Sequence, residues 1–396
     1  MIRANEHPMD EGRAPASHAG PPDVPSPLGG PATSAAAGGA DPLRLPRAVS
    51  RFILTHRAGL SFPALGALLT VAVFLNVGIG AVEISPSSVV GILLHHLGLE
   101  TGLSYTVQQD AVLWNIRIPR VILGLSAGAG LAISGCALQG IFRNPLADPG
   151  IIGVSSGAAL GAISLIMLGV APFGPYTMPM AAFGGGLLLT LAVYTISRRD
   201  GKTEVITLIL TGVAFNAIAG GVIGFLTFYA NDAQLRNIVF WSLGSVGGAT
   251  WESARAAFLV SLAGIILVSR YAHALNLLVL GEREAFHLGV NTERVRLSVI
   301  GLAALLTGAA VAFAGIIGFV GLVVPHILRL IIGPDHRRLL VASALLGASL
   351  LLFSDLISRT VVIPRELPLG VVTSLAGGPY FVWLILRTRN RQGGWA

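Results

Sequence analysis

The 396-residue sequence contains 53% hydrophobic residues and only 11% charged residues, whereas soluble domains carry about 25% charged residues. This composition excludes an ordinary soluble domain. The formal net charge is +7, but the basic residues are scattered between apolar runs and form no single stripe, so nucleic acid is not an expected partner. Cys136 is the only cysteine, which excludes a disulfide framework and a cysteine metal cluster. No metal site is predicted.

Residues 1–50 form a segment rich in Ala, Pro, Gly and Ser. Such a composition cannot bury enough apolar surface to fold. The charged start and adjoining short apolar core of a signal peptide are missing before Phe52. We therefore predict a disordered, cytoplasmic N-terminal tail over residues 1–50 and a transmembrane domain over residues 51–396.

Long charge-free runs in the rest of the chain have the length of transmembrane helices, because about 20 residues cross a hydrocarbon core of roughly 30 Å. The long runs are Ser61–Gly80, Val121–Phe142, Val205–Asn231, Leu297–Pro325 and Leu367–Leu386. Pro149–Ser197 is long enough for two spans. The shorter runs Ala256–Ser269 and Leu339–Ser354 can be completed by flanking residues. The run from Leu297 can turn and re-enter the membrane around Gly318–Gly321. None of them alternates apolar and polar residues as the strands of a membrane barrel do. The sequence predicts an all-α polytopic membrane protein with about ten transmembrane helices.

Basic clusters indicate the orientation, because cytoplasmic loops carry an excess of Lys and Arg. The clusters are Arg47, Arg51 and Arg57; Arg198, Arg199 and Lys202; Arg337 and Arg338; and Arg387, Arg389 and Arg391. Ten spans with both termini in the cytoplasm place all four clusters inside. The same arrangement leaves five arginines outside, and these need another explanation: Arg117, Arg120, Arg236, Arg359 and Arg365.

Two segments of the chain resemble each other. They are RVILGLSAGAGLAISG from Arg120 and RVRLSVIGLAALLTG from Arg294, and each opens a long span that a Gly/Pro-interrupted segment follows. In the ten-span arrangement they run in opposite directions, which is the pattern of an inverted repeat. The alternative is that any two helices rich in Leu, Ala and Gly look alike.

The polar segment QGIFRNPLADPGIIGVSSG, at Gln139–Gly157, interrupts otherwise apolar sequence. Proline stops a continuing helix, and the freed polar groups are tolerated in a membrane only where protein or water receives them. We interpret the segment as the inner turn between the second and third spans, with Asn144 and Asp148 capping the freed amides. A substrate site at this turn is the less favoured interpretation.

The chain shows no energy source of its own. Gly201-Lys202-Thr203 ends like a phosphate loop, but Ile196 occupies the position of the first glycine and a membrane helix precedes it instead of a strand. No span carries a buried row of charged residues that would indicate a proton relay. Sodium sites built from backbone carbonyls remain an alternative.

Five motifs in order resemble the FecCD family, the permease subunits of ATP-driven importers for iron-siderophores, haem and cobalamin. The motifs are IRIPR at 116–120, SGCALQGIFRNPLADPGIIGVSSGA at 134–158, LLVLGEREAFHLGVN at 277–291, GIIGFVGLVVPHILRLIIGPDHR at 315–337 and LPLGVVTSLAGGPYFVWLIL at 367–386. The resemblance covers the chain from about Arg51 to its end. It implies the ten-helix architecture of a type II ABC importer permease, which is not itself an enzyme.

The resemblance also implies partners and a location. A second copy of the chain would complete a homodimer around a central pathway, two ATP-binding-cassette ATPase subunits would hydrolyse ATP on the cytoplasmic side, and a periplasmic binding protein would dock outside. The expected location is the bacterial inner membrane, with lipid around the spans. No permanently bound cofactor is expected.

The loop after the sixth span resembles the family's coupling helix, which seats in a cleft of the ATPase. The residues of the predicted coupling site are Leu280, Gly281, Glu282, Arg283, Glu284, Ala285, Phe286, His287, Leu288 and Gly289. A charged collar around apolar side chains suits docking to a soluble partner. The alternative is an ordinary amphipathic loop that lies on the bilayer.

Three of the outside arginines gain a role from the resemblance. Arg117, Arg120 and Arg359 match positions at which the family presents positive charge to acidic residues of the binding protein. Arginine suits this role because its planar guanidinium pairs bidentately with a carboxylate. The alternative is that these side chains snorkel to lipid headgroups.

The predicted cargo is haem. The segment NDAQLRNIVFWSLGSVGGATW at Asn231–Trp251 resembles the haem-importing branch of the family. The predicted pathway residues are Thr207, Thr211, Asn216, Tyr229, Arg236, Phe240 and Trp241. Aromatic residues at a membrane interface are also common anchors. A ferric siderophore or cobalamin is the alternative cargo, and an ion-driven secondary transporter or a membrane assembly protein is the alternative class.

Overall fold

The computed structural model describes residues 47–100, 102–199 and 202–392. Most of the predicted tail of residues 1–50 lies outside these ranges. Within the described residues the chain forms fifteen α-helices: α1 (Arg47–Gly78), α2 (Pro86–His96), α3 (Val107–Val112), α4 (Ile118–Phe142), α5 (Val154–Leu168), α6 (Thr177–Ile196), α7 (Val205–Phe228), α8 (Asp232–Leu243), α9 (Trp251–Ser269), α10 (Ala272–Leu280), α11 (Glu282–His287), α12 (Thr292–Ala314), α13 (Val320–Ile332), α14 (His336–Thr360) and α15 (Leu369–Gln392).

Three shorter helical segments and one hairpin complete these elements. A π-helical segment, Leu113–Arg117, joins α3 to α4, and 3-10 turns occur at Pro149–Ile152 and Gly174–Tyr176. The strands β1 (Arg198–Arg199) and β2 (Lys202–Thr203) pair antiparallel between α6 and α7.

Seven helical stretches among the described residues are long and apolar enough to cross a membrane. They are Gly59–Gly78, Val107–Phe142, Gly174–Ile196, Val205–Phe228, Trp251–Ser269, Thr292–Ala314 and His336–Thr360. Three shorter apolar helices, Val154–Leu168, Val320–Ile332 and Leu369–Leu384, lie where the sequence predicts further spans. The predicted helical membrane fold is confirmed, and the count of ten spans stays a prediction.

The core is built around α4, which packs against α9, α12, α13 and α14. Glycine permits this close approach. A β-carbon on Gly128 would lie 2.3 Å from the carbonyl oxygen of Gly347, and one on Gly135 would lie 1.8 Å from the carbonyl oxygen of Gly321. Helices in lipid associate without a hydrophobic driving force, so backbone contact of this kind supplies much of their packing energy.

The corner after α4 has the caps that the sequence predicts. Arg143 ends the helix with a left-handed φ of 49°. The side-chain oxygen of Asn144 accepts a hydrogen bond from the amide of Leu146 at 2.9 Å, and that of Asp148 accepts one from the amide of Gly150 at 2.8 Å. The predicted caps are confirmed.

This corner folds into the bundle and packs against α7. The amide of Asn216 donates to the carbonyl of Gly150 at 3.0 Å, and a β-carbon on Gly212 would lie 2.0 Å from the carbonyl oxygen of Ile151. Gly212 and Asn216 lie roughly 10 to 17 Å along α7 from its first residue. The turn Pro149–Ile152 therefore lies in the interior of the protein, beside the middle of α7. Helix α5 begins there, two residues after the turn.

A second break separates α12 from α13. The sequence predicts a turn around Gly318–Gly321, but α12 already ends at Ala314 and α13 begins at Val320. Gly315 leaves the helix with a φ of 71°, and the amide of Ser245 binds the carbonyl of Ala314 at 2.8 Å. A positive φ suits glycine and stops the helix one turn earlier than expected.

Helices α4 and α12 run antiparallel. A β-carbon on Gly247 would lie 3.5 Å from Nη1 of Arg120, in the first turn of α4. Gly247 lies two residues after Ser245, and the backbone amide of Ser245 donates to the carbonyl of Ala314, the last residue of α12. The start of α4 therefore lies near the end of α12. This direction agrees with an inverted repeat, and the repeat itself stays a prediction.

Candidate functional site

The loop formed by α10 and α11 presents apolar side chains to the outside. Leu280 is 63% exposed, Phe286 is 68% exposed and Leu288 is 59% exposed, while Ala285 is fully buried and anchors the short helix. Gly281 joins the two helices with a φ of 137°. That backbone conformation is one that side-chain-bearing residues rarely adopt, so this sharp joint favours glycine.

Arg296, in the first turn of α12, holds this loop from one side. Its Nη2 donates to Oε1 of Glu282 at 2.5 Å, and its Nη1 donates to the carbonyl of Thr203 at 2.7 Å and to Oε2 of Glu293 at 3.2 Å. The Arg296 side chain is 5% exposed. Arginine can meet all three oxygens because its planar guanidinium carries five N–H donors.

Asn276 of α10 holds the loop from the other side. Its Nδ2 donates to Oδ1 of Asp335 at 2.6 Å, and its Oδ1 accepts from the backbone amide of His336 at 2.8 Å. The hydrogen bond from Asn276 lowers the pKa of Asp335 below its ordinary value, with a smaller contribution from the backbone amide of Arg337. The carboxylate is therefore charged at neutral pH, and it caps α14.

Arg120 forms the centre of a buried ion cluster at the start of α4. Its guanidinium binds Asp355 of α14 and Glu366 in the α14–α15 connection, with two contacts of 2.9 Å to Glu366. The Asp355 side chain is 2% exposed and the Glu366 side chain is 46% exposed. The hydrogen bond from Arg120 lowers the pKa of Glu366 below its ordinary value, so the Glu366 carboxylate is charged at neutral pH.

Arg117 and Arg359 bind the C-terminal end of α1. Arg117 donates to the carbonyls of Val77, Gly78 and Val82. Arg359 donates to the carbonyl of Asn76 at 2.8 Å and to that of Ile79 at 2.6 Å. The last carbonyls of a helix have no partner within the helix, and they carry a partial negative charge that favours cations.

These contacts differ from those of a free docking surface. Arg117 is 4% exposed and Arg120 is 7% exposed, which also excludes snorkelling to lipid headgroups in this conformation. Together with Arg359 the two side chains line a cavity of about 420 Å³. A docking role for the three arginines stays a prediction, while their internal contacts join α1, α4 and α14.

The predicted pathway residues form two groups, not one. Thr207 and Thr211 lie near the first residue of α7, and the hydroxyl of Thr207 donates to Glu204 at 2.6 Å. Tyr229, Arg236 and Phe240 lie exposed at the other end, after α7 or on α8, and Trp241 is half-buried there. Helix α7 has 24 residues and is therefore about 36 Å long. No small molecule can contact both groups at once.

Asn216 lies between these groups but serves the fold. Its amide nitrogen binds Gly150, and its side-chain oxygen is buried without a partner among the described residues. The residue therefore holds the corner after α4 against α7, and the prediction that it faces a pathway stays untested.

Comparison with known proteins decides the family. The model of the FecCD transport family matches residues 68–387. The chain belongs to the FecCD transport family. It is 48% identical over 295 residues to the hemin transport system permease protein of Yersinia pestis, covering 73% of this chain and 88% of that protein. It is 42% identical over 300 residues to the cobalamin import system permease protein of Halobacterium salinarum, covering 74% and 77%.

A solved structure supports the same assignment. The structure of a metal-chelate type ABC transporter in an inward-facing conformation matches with a TM-score of 0.73 and 32% identity, over 83% of this chain and 99% of that chain. This FecCD chain is therefore a multi-span permease of an ABC importer, with the type II importer architecture that the motifs predict.

Sequence reasoning missed the acidic partners in both arginine clusters. The charge-free run Leu339–Ser354 stops immediately before Asp355 and is expected to be completed by flanking residues, and α14 indeed continues to Thr360. No role is predicted for Glu293 and Arg296, which lie just before the charge-free run from Leu297. A signal existed for Asp355, since completing the run Leu339–Ser354 with flanking residues brings a charge into the span, and such a charge is expensive unless it is paired.

Proposed function

We propose that this chain is the permease subunit of an ATP-driven importer that carries haem from the periplasm to the cytoplasm. The proposed location is a bacterial inner membrane, with both termini in the cytoplasm. The observation that carries the proposal is the α10–α11 loop, whose exposed Leu280, Phe286 and Leu288 stand on a backbone held from two sides.

The proposed partner of this loop is a separate ATP-binding-cassette ATPase. Exposed apolar side chains within a rim of Arg283, Glu284 and His287 have the composition of a protein-binding patch, with an apolar centre and a charged border. ATP is hydrolysed by the partner. Closure of two ATPase subunits would displace the loop and tilt the pathway helices, alternating access between the two sides.

A second copy of the chain is the proposed partner of α7. Few residues of this helix are buried within the single chain. A β-carbon on Gly220, Gly221 or Gly224 would meet nothing within 4 Å. Small residues spaced in this way let helices approach closely in a membrane, which supports a homodimer around a central pathway.

Haem is the proposed cargo because the hemin permease relative shares 48% of the aligned residues. The exposed group of Tyr229, Arg236 and Phe240 supports it, since haem has a flat apolar face and two propionates that suit aromatic and arginine side chains. A periplasmic haem-binding protein would deliver the cargo. To engage Arg117, Arg120 and Arg359, its acidic residues would compete with the carboxylates and carbonyls already bound there.

Cobalamin or a ferric siderophore is the second candidate cargo. The cobalamin permease relative is 42% identical, and the matching solved structure belongs to a metal-chelate type transporter. All three cargoes are large metal chelates, so the candidates differ in the ligand and not in the transport mechanism.

Vesicles containing the chain, its cognate ATPase and its periplasmic binding protein test the proposal. Haem delivered by the binding protein should stimulate ATP hydrolysis and accumulate inside only when ATP is present. Stimulation by cobalamin or a ferric siderophore in place of haem would refute the cargo. Uptake that needs no ATPase and stops when the ion gradient is dissipated would refute the ATP-driven mechanism.

A further inference from the structure

A network of five side chains connects the α10–α11 loop to the start of α7. We call it the polar bracket, and its members are Tyr194, Thr203, Glu282, Glu293 and Arg296. Glu293 accepts from the hydroxyl of Tyr194 at 3.1 Å, and from the backbone amide and hydroxyl of Thr203 at 3.1 and 2.5 Å. Arg296 joins this group to Glu282, at the first position of α11.

The bracket ends two residues before a pathway helix. Thr203 is 4% exposed, and both of its backbone polar groups are bound, the amide by Glu293 and the carbonyl by Arg296. Helix α7 begins at Val205, directly after Glu204. Only Glu204 separates Thr203 from α7, so a displacement of Thr203 is passed to the first turn of α7 across a single residue.

The other end of the bracket lies on the loop proposed to contact the ATPase. Glu282 precedes Phe286 by four residues, so the two stand one turn apart on α11. Glu282 also lies 3.9 Å from Nη2 of Arg143, which ends α4 and begins the corner that packs against α7. Both routes from Glu282 lead to elements in contact with α7.

We infer that Arg296 is a positioning residue that transmits displacement of the α10–α11 loop to α7, and that Glu282 is the loop residue through which this displacement reaches it. The inference rests on the proposed function and adds the residues through which ATPase movement reaches the pathway. Arg296 is fixed to α12 and to Thr203 by buried contacts, whereas the Glu282 side chain is 45% exposed. The Arg296–Glu282 contact thus links the exposed loop to the buried part of the bracket, and a substitution that breaks it leaves the other contacts in place.

The competing explanation is that Arg296 only stabilises the fold. The two explanations differ in what remains after Arg296 is removed. A purely stabilising residue affects folding and complex yield and leaves the number of haem molecules carried per ATP unchanged. A transmitting residue lowers that number while the complex still forms and hydrolyses ATP.

The test uses the full complex in vesicles, with haem uptake and ATP hydrolysis measured in the same sample. For Arg296→Met the haem carried per ATP should fall about fivefold or more, the lower end of typical coupling between distant sites, with the ATPase still bound. Arg294→Met is the matched control, because Arg294 is exposed in the same helical turn; it should behave like the wild type.

A second variant covers the case in which Arg296→Met does not fold. Glu282→Gln keeps the shape of an exposed side chain and removes its charge, and it should lower haem per ATP in the same direction. The double variant should be no worse than Arg296→Met alone, because both changes open one contact.

Three results would overturn the inference. These are an unchanged haem-to-ATP ratio in Glu282→Gln, an unchanged ratio in a folded Arg296→Met complex, and loss of the bound ATPase from folded Arg296→Met protein. Failure of the wild-type chain to bind any ATPase or to carry haem would refute the proposed function itself, so the two failures are distinguishable.

Discussion

Arg120 and Asp355 are 235 residues apart in the sequence and bind each other in the interior. The Nε atom of Arg120 lies 3.0 Å from both carboxylate oxygens of Asp355, and its Nη2 lies 2.8 Å from Oδ1. The contact joins the first turn of α4 to the last two turns of α14. Asp355 is almost completely buried, and the neighbouring Arg359 is a second basic partner at 3.7 Å.

Replacing Asp355→Asn should destabilise the protein strongly. The change leaves Arg120 and Arg359 with one fewer carboxylate, and removing one partner of a buried ion pair costs about 3 to 5 kcal/mol. Thermal unfolding of the detergent-solubilised protein measures the effect. Glu100→Gln is the control, because Glu100 forms an exposed pair with His95 and such pairs contribute at most about 1 kcal/mol. Equal losses in the two variants would contradict the structural role of Asp355.

Glu366 should give a stability difference that depends on pH. Its pKa is lowered from the ordinary value of 4.5 by the hydrogen bond from Arg120, so ionisation of Glu366 stabilises the folded state. That contribution is fully present above pH 4.5 and is lost as the pH falls through the lowered folded-state pKa. Glu366→Gln should therefore unfold at a lower temperature than the wild type near pH 7.

The difference between Glu366→Gln and the wild type should disappear in strong acid, where both side chains are uncharged. Melting temperatures measured across this pH range give the test. A gap that stays constant from pH 7 into strong acid would assign the effect to side-chain shape and not to charge.

Gly135→Ala should disrupt the packing of α4 against α13. The added β-carbon would lie 1.8 Å from the carbonyl oxygen of Gly321, so the two backbones must move apart, and overpacking of this kind typically costs about 1 to 3 kcal/mol. Gly301→Ala in α12 is the matched control, since its β-carbon would meet nothing within 4 Å. The prediction fails if the two alanine variants melt at the same temperature.

Phe286→Asp should abolish co-purification of the ATPase without unfolding the chain. Phe286 is 68% exposed, so its replacement removes little internal packing but places a charge in the centre of the proposed contact. Leu97→Asp serves as the control, because Leu97 is 75% exposed at the end of α2. An unchanged yield of the complex with Phe286→Asp would exclude the α10–α11 loop as the ATPase contact.

Hydropathy and helix-breaking residues predicted the helical membrane fold and the caps of the corner after α4. Runs without charge mark the spans, and Asn144 and Asp148 can be interpreted from sequence alone because their capping partners lie two residues away. The family assignment was available from motifs at 315–337 and elsewhere, and the comparisons confirm it.

Contacts between distant segments were beyond such reasoning. The sequence does not indicate that Arg296 meets Thr203, which lies 93 residues before it, or that Arg120 meets Asp355. Predicting these pairs requires knowledge of how α4 packs against α14 and how α12 packs against the strand that contains Thr203. Of the three arginines expected at a docking surface, Arg117 and Arg120 are buried and Arg359 is partly buried, because their partners come from the end of α1, from α14 and from the connection to α15.

The two breaks, after α4 and after α12, place backbone carbonyls inside the protein. Gln139 donates to the carbonyls of Ala147 and Leu322, and Asn216 donates to that of Gly150. A side-chain substitution leaves these main-chain oxygens in the protein. Alanine scanning would therefore miss much of the interior's polar character, and only changes at the glycines and prolines that shape these turns would reveal it.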